Sequence, residues 1–258
     1  MCYDNKDRPP DAPGEAEAAN GEDVELVSAD GTHFAAYLAR PAGLGARAQV
    51  IIFPDVRGLH DFYKALAMRF AEKGIDAIAI DYFGRTAGMS PRDDTFEFMP
   101  HVGQMQFPSF MGDVRAARAY VDSTSSAPLP TFSLGFCMGG ALSLLAGTED
   151  LDLAGVVAFY AGMGRKFAGS DRGTLEKATE MRAPVLGLFG GADQGIPPSD
   201  VQKLDEALDT AGVEHEIITY PGAPHSFFDR KAVEYVEASA DAWQRVLSFI
   251  EAHSRATS

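Results

Sequence analysis

The chain has 258 residues, of which 46% are hydrophobic and 23% charged, and a formal net charge of −15. That length carries one sizeable core, and the composition is that of a soluble globular protein. The acidic balance excludes nucleic acid and anionic membrane surfaces as partners, because both need a basic face.

The N-terminal stretch MCYDNKDRPPDAPGEAEAANGED lacks a basic start followed by an apolar run, so no secretory signal is expected. Residues 1–21 are rich in Pro, Ala, Glu and Asp without apolar periodicity. They are expected as a flexible tail before one α/β domain over 22–258. Cys2 and Cys137 are the two cysteines. With one of them in that tail, no structural disulfide is expected, and the cytoplasm is the expected compartment. No apolar run approaches the length of a membrane span.

Residues 22–39 alternate around Asp30-Gly31, a hairpin signal. AQVIIFP (48–54) is a continuous apolar run, as expected for a strand buried on both faces. A helix is predicted over 60–73, with Phe62, Leu66 and Phe70 on one face, and a buried strand over 75–83. Segment 84–110 reads as a long irregular excursion. Its apolar residues Phe96, Phe98, Met99, Met105 and Phe107 fit a lid or pocket wall, or simple surface packing. A helix over 111–122 leads to a strand at 131–135 and a helix after Cys137. Strands follow at 153–160, 183–190 and 214–220, with helices over 199–211 and 231–253. This alternation predicts an α/β fold: a mostly parallel central sheet, helices on both faces, and an antiparallel hairpin at the N-terminal edge.

The stretch TFSLGFCMGGALSLLAG (131–147) crosses from strand to helix through Gly135-Phe136-Cys137-Met138-Gly139. This is G-x-C-x-G, the G-x-S-x-G nucleophile elbow with sulfur in place of oxygen. Such a turn sets the sulfur at a helix N-terminus, where the dipole and free N–H groups favour thiolate. On the turn alone, a small buried structural cysteine fits equally well. An elbow predicts an acid and then a histidine, in that order along the chain. Asp193, in Gly190-Gly191-Ala192-Asp193, ends a predicted central strand, where α/β sheets place ligands. His225, in Pro224-His225-Ser226, follows the last predicted strand. Each alone also fits a cap or a structural loop residue. Together they are three suitable residue types, in order, at strand ends. Of the other histidines, His60 is the minor rival. No metal and no cofactor are expected: no ligand cluster has metal spacing, and neither G-x-G-x-x-G nor a P-loop is present.

With Gly135-Phe136-Cys137-Met138-Gly139-Gly140, Gly191-Ala192-Asp193 and His225-Ser226-Phe227 in place, the chain resembles the dienelactone hydrolase (carboxymethylenebutenolidase) family of α/β-hydrolases. The resemblance runs from the hairpin to the last helix. It implies an α/β-hydrolase fold and a carboxylic ester hydrolase with a Cys137-Asp193-His225 triad. It implies that Asp55, where the founding enzymes carry glutamate, contacts the resting thiol. Val56 and Met138 would supply oxyanion-hole N–H groups. It also implies two arginines on a substrate carboxylate. Arg85 matches the first. The second belongs four residues after the histidine, where this chain has Asp229, with Arg230 one further on. Both arginines also fit plain surface charges. Phe83 and Tyr160 would line the pocket, or simply pack.

The expected reaction is hydrolysis of a small activated ester or lactone through a thioester acyl-enzyme. An acyltransferase or thioesterase would use the same three residues, and a non-catalytic binding scaffold would share the fold. The expected partner is a small-molecule substrate, with monomer and dimer both open.

Overall fold

The computed structural model describes residues 7–43 and 45–254. Eight strands form one sheet: β1 (Ala19–Val27), β2 (His33–Pro41), β3 (Gln49–Phe53), β4 (Asp76–Ile80), β5 (Thr131–Phe136), β6 (Gly155–Phe159), β7 (Val185–Gly190) and β8 (His215–Tyr220). Their order is β1-β2-β4-β3-β5-β6-β7-β8. The β1–β2 and β2–β4 pairs are antiparallel, and every later pair is parallel. The α/β architecture inferred from the strand–helix alternation is therefore present, hairpin included.

The helices are α1 (Asp61–Ala71), α2 (Gly84–Ala87), α3 (Phe98–Val102), α4 (Phe107–Thr124), α5 (Met138–Ala146), α6 (Thr174–Lys177), α7 (Pro198–Ala211) and α8 (Val236–Ser254), with a 3₁₀ turn at Ala178–Glu180. Strand periodicity divides the core. Val50 and Ile52 of β3 and Ala77 and Ala79 of β4 face one layer, with α1, α7 and α8. Ile51, Phe53, Ile78 and Ile80 alternate to the other face, against α4 and α5. Both faces of these strands are covered, so β3, β4 and β5 are buried along their whole length.

Three boundaries differ from the sequence reading. Strand β1 begins at Ala19, and residues before it lie against the domain. Trp243 Nε1 donates to Pro10 O at 2.9 Å, Lys73 Nζ donates to Gly14 O at 2.8 Å, and the Glu17 N–H donates to Glu72 O at 2.9 Å. These contacts use the backbone of residues 7–18, which apolar periodicity does not register. Residues 1–6, Cys2 among them, lie outside the described residues. The excursion at 84–110 holds α2 and α3, and α4 opens at Phe107 with Pro108 in its first turn. Helix α8 begins at Val236 because residues 229–235 form consecutive turns.

Candidate active site

The turn between β5 and α5 is held by close backbone packing. Cys137 has φ 55° and ψ −112°, a left-handed conformation unfavourable for a side-chain-bearing residue. A Cβ on Gly135 would meet Gly139 O at 1.9 Å, and one on Gly139 would meet Phe53 O at 2.1 Å. Glycine at both positions is thus a steric requirement. The Cys137 N–H donates to Phe159 O at 3.1 Å, and the Gly162 N–H donates to Cys137 O at 3.3 Å. The sulfur is held at the head of α5 and stays partly exposed.

Asp193 sits in the loop after β7, and its side chain is 2% exposed. Its Oδ1 accepts the Gly195 N–H at 2.8 Å, and its Oδ2 accepts the His225 Nδ1–H at 2.6 Å. His225 follows β8 in a loop where Ser226 has φ 63°. Burial alone would lower the His225 pKa, but Asp193 and the Cys137 sulfur outweigh it and raise it to about 10. The structure thus brings Cys137, Asp193 and His225 together. The imidazole is fixed by one carboxylate and engaged by the sulfur of Cys137.

Asp55 is buried, and its Oδ1 accepts the Arg57 N–H at 2.9 Å and lies 3.9 Å from His60 Nε2. The Asp55 N–H donates to Tyr63 Oη at 3.0 Å. Val56 follows in the same turn, half-buried, and Met138 is the first residue of α5, where helix N–H groups lack intrahelical partners. His60, the rival histidine, is buried against Tyr63 with ring centroids 5.0 Å apart. Burial and then Arg57 push its pKa down to about 3, so it stays neutral.

Arg85, expected on a substrate carboxylate, is held by other side chains. Its guanidinium is occupied by Asp113 of α4 and by Asp30 of the hairpin turn, the latter at 3.0 Å. It clamps α2 to the first strands. Arg230 is exposed, and its N–H is bound by the Asp229 carboxylate. Phe83 is fully buried beneath Phe96 and His101, at centroid distances of 5.6 and 5.9 Å, and so packs instead of lining an open pocket. Tyr160 is also fully buried, but its ring lies 4.9 Å from that of His225.

Sequence reasoning missed the polar frame that holds these loops. Arg92 donates through Nε and Nη2 to both oxygens of Asp81, at 3.1 and 2.8 Å, and binds the excursion to the end of β4. Arg57 pairs with Asp94 at 3.1 Å. Tyr82 donates to Pro54 O at 2.5 Å, just before Asp55. The available signal was weak: two arginines followed by two aspartates in GRTAGMSPRDD. Among the described residues no group of three or more His, Cys, Asp or Glu could hold a metal ion. No helix among them is long and apolar enough to cross a membrane.

Comparison with known proteins agrees with this architecture. The family model for the dienelactone hydrolase family matches residues 34–254. A Methylorubrum extorquens protein named "Putative carboxymethylenebutenolidase" is 29% identical over 228 residues, covering 87% of this chain and 78% of its own. A Salmonella typhimurium protein of the same name is 30% identical over 230 residues, covering 88% and 85%. The crystal structure of a "Putative Dienelactone Hydrolase" from Klebsiella pneumoniae superimposes with a TM-score of 0.80 at 26% identity, covering 91% of this chain and 99% of that one.

Proposed function

The chain belongs to the dienelactone hydrolase family of hydrolases, and from that premise we propose that it cleaves a small activated ester or lactone with Cys137 as nucleophile, His225 as general base and acid, and Asp193 as the group that orients the imidazole. The observation that carries this reading is the position of His225. It donates to Asp193 at 2.6 Å and interacts with the sulfur at the strained turn. Nucleophile, base and orienting acid in hydrogen-bonding sequence form the general arrangement for activating a weak nucleophile.

In this reading His225 takes the Cys137 proton and leaves a thiolate beside the imidazolium. The thiolate attacks the substrate carbonyl. Negative charge develops on the carbonyl oxygen, toward the N–H groups of Val56 and Met138. Preorganised donors of this kind are worth about 3–4 kcal/mol of barrier each. His225 gives its proton to the leaving oxygen, and a thioester on Cys137 remains. Water deprotonated by His225 then attacks the thioester, and the acid is released.

Substrate preference follows from the leaving groups. In the tetrahedral intermediate the thiolate competes with the substrate's own oxygen to depart. A poor leaving group returns the intermediate to substrate. Enol lactones, aryl esters and thioesters are therefore the expected substrates, and amides and plain alkyl esters the poor ones.

The test is turnover of an enol lactone and a short aryl ester by the wild type and by Cys137→Ala, both checked for folding. Loss of turnover in the variant supports the reading. Wild-type rates in the variant refute it.

A further inference from the structure

The turn after β3 runs beside the elbow. Phe53 pairs with Gly135 across β3 and β5, so Pro54 and Asp55 advance next to Phe136 and Cys137. A Cβ on Gly139 would meet Pro54 O at 2.2 Å, which sets this peptide against the head of α5. The backbone N–H groups of the turn are accounted for, save one. Those of Asp55, Arg57, Gly58 and Leu59 donate to Tyr63 Oη at 3.0 Å, Asp55 Oδ1 at 2.9 Å, Asp55 O at 3.2 Å and Asp81 Oδ1 at 3.1 Å. Pro54 has no N–H to give. Among the described residues the Val56 N–H meets no acceptor.

The peptide unit before that N–H is gripped at both ends. The Pro54 carbonyl accepts from Tyr82 Oη at 2.5 Å, and the Asp55 N–H donates to Tyr63 Oη at 3.0 Å. Both tyrosines are buried. Tyr63 belongs to the core layer of α1 and Tyr82 to that of α4, so the grip comes from both faces of the sheet. The Tyr63 ring lies 5.6 Å from that of Phe136, the residue before Cys137, and the Tyr82 ring 5.8 Å from that of Phe110. Burial, and then the negative charges of Asp55, Asp81 and Cys137, push the Tyr82 phenol well above its ordinary range, so it stays a donor.

We propose that Tyr63 and Tyr82 are positioning residues for the reaction: by fixing the Pro54–Asp55 peptide they aim the Val56 N–H at the substrate's carbonyl oxygen. An oxyanion donor works only where the developing charge will sit. With the preceding peptide plane held at both ends, only the two soft dihedrals of Asp55 separate it from the Val56 N–H. The Arg57 and Gly58 bonds to Asp55 restrain those two. The proposal rests on the reading of Cys137 as nucleophile with Val56 as an oxyanion donor. It gives two buried hydroxyls that touch no reacting atom a part in the chemistry.

The test compares phenyl acetate with its thiono analogue, O-phenyl thioacetate, in the wild type, Tyr63→Phe and Tyr82→Phe, each checked for folding by urea unfolding. Sulfur accepts hydrogen bonds weakly, so the ratio of kcat/KM for the oxygen ester to that for the sulfur ester reads donation to the carbonyl atom. General loosening of the fold lowers both rates alike and leaves the ratio unchanged. In each variant the ratio is expected to fall about tenfold, through kcat more than KM, as for a donor displaced by a fraction of an ångström. The double variant should fall little further than either single one, because both bonds hold one peptide. A ratio unchanged in both single variants overturns the proposal, as does an equal loss on both esters. Cys137→Ala is run in parallel. Retained turnover there is failure of the nucleophile reading alone, and the ratio in the tyrosine variants still decides the proposal. If the wild type turns over neither ester, the functional reading fails and the proposal falls with it.

Discussion

Tyr160 donates a 2.5 Å hydrogen bond to Asp229 Oδ2, joining the end of β6 to the loop that carries His225. Both residues are buried, and the Tyr160 backbone has φ 35°. Burial and then the Asp229 charge push the phenol well above its ordinary range, so it remains a donor. The bond fixes the far end of the turn that begins at His225.

Tyr160→Phe should therefore loosen that turn. A buried carboxylate deprived of a donor costs about 1–3 kcal/mol. Urea unfolding should show a loss of that size. Steady-state kinetics should show kcat falling more than KM changes, because the imidazole is less well held. Unchanged stability and kcat would make the bond incidental.

Gly139→Ala tests the packing of the elbow. The new Cβ would lie 2.1 Å from Phe53 O and 2.2 Å from Pro54 O, and both are backbone atoms. A loss of about 3 kcal/mol or more is expected from such overpacking. Gly162→Ala is the control, since a Cβ there meets nothing within 4 Å. That change should stay within about 0.5 kcal/mol. Thermal unfolding of the two variants separates the cases.

Asp81 and Arg92 form a buried pair, with side chains 1% and 2% exposed. Asp81 also accepts the Leu59 N–H at 3.1 Å and the Phe83 N–H at 2.9 Å. Asp81→Ala leaves a buried guanidinium without its carboxylate, which should cost about 3–5 kcal/mol. The excursion at 84–110 should then become the first site cut in limited proteolysis. A variant as stable and as protected as the wild type would contradict this.

The pH dependence follows from His225. Its pKa is raised to about 10 in the folded chain, against about 6.5 for a free imidazole. The folded state therefore binds more protons between those values, and stability falls as pH rises. The contribution is fully present below about 6.5 and is lost as pH rises through about 10. Unfolding free energies of wild type and His225→Gln should converge from pH 6 toward pH 10. Parallel curves over that range would contradict the raised pKa.

Much of this was legible in the sequence because it is local or periodic. Apolar runs such as VIIF and AIAI mark strands buried on both faces. The glycines around Cys137 report a turn whose neighbours are backbone atoms. Asp193 and His225 could be placed at strand ends because each lies in the loop that follows its strand, β7 ending at Gly190 and β8 at Tyr220. Other features depend on contacts between distant segments. The claim of Asp30 and Asp113 on Arg85, the Tyr160–Asp229 bond and the Arg92–Asp81 pair join segments that no spacing rule connects. The short helix at Thr174–Lys177 escaped because four residues carry no period. Residues 7–18 read as a tail because they hold the domain through backbone carbonyls and N–H groups.

The central claim is that Cys137 carries the acyl group during turnover. The direct measurement is rapid acid quench with an aryl acetate, followed by mass spectrometry of the intact chain and its peptides. The account predicts one acetyl group on the Cys137 peptide, released by hydroxylamine as a thioester is, and absent in Cys137→Ala. Turnover with no adduct on that peptide, or with the acetyl group on another residue, would contradict it.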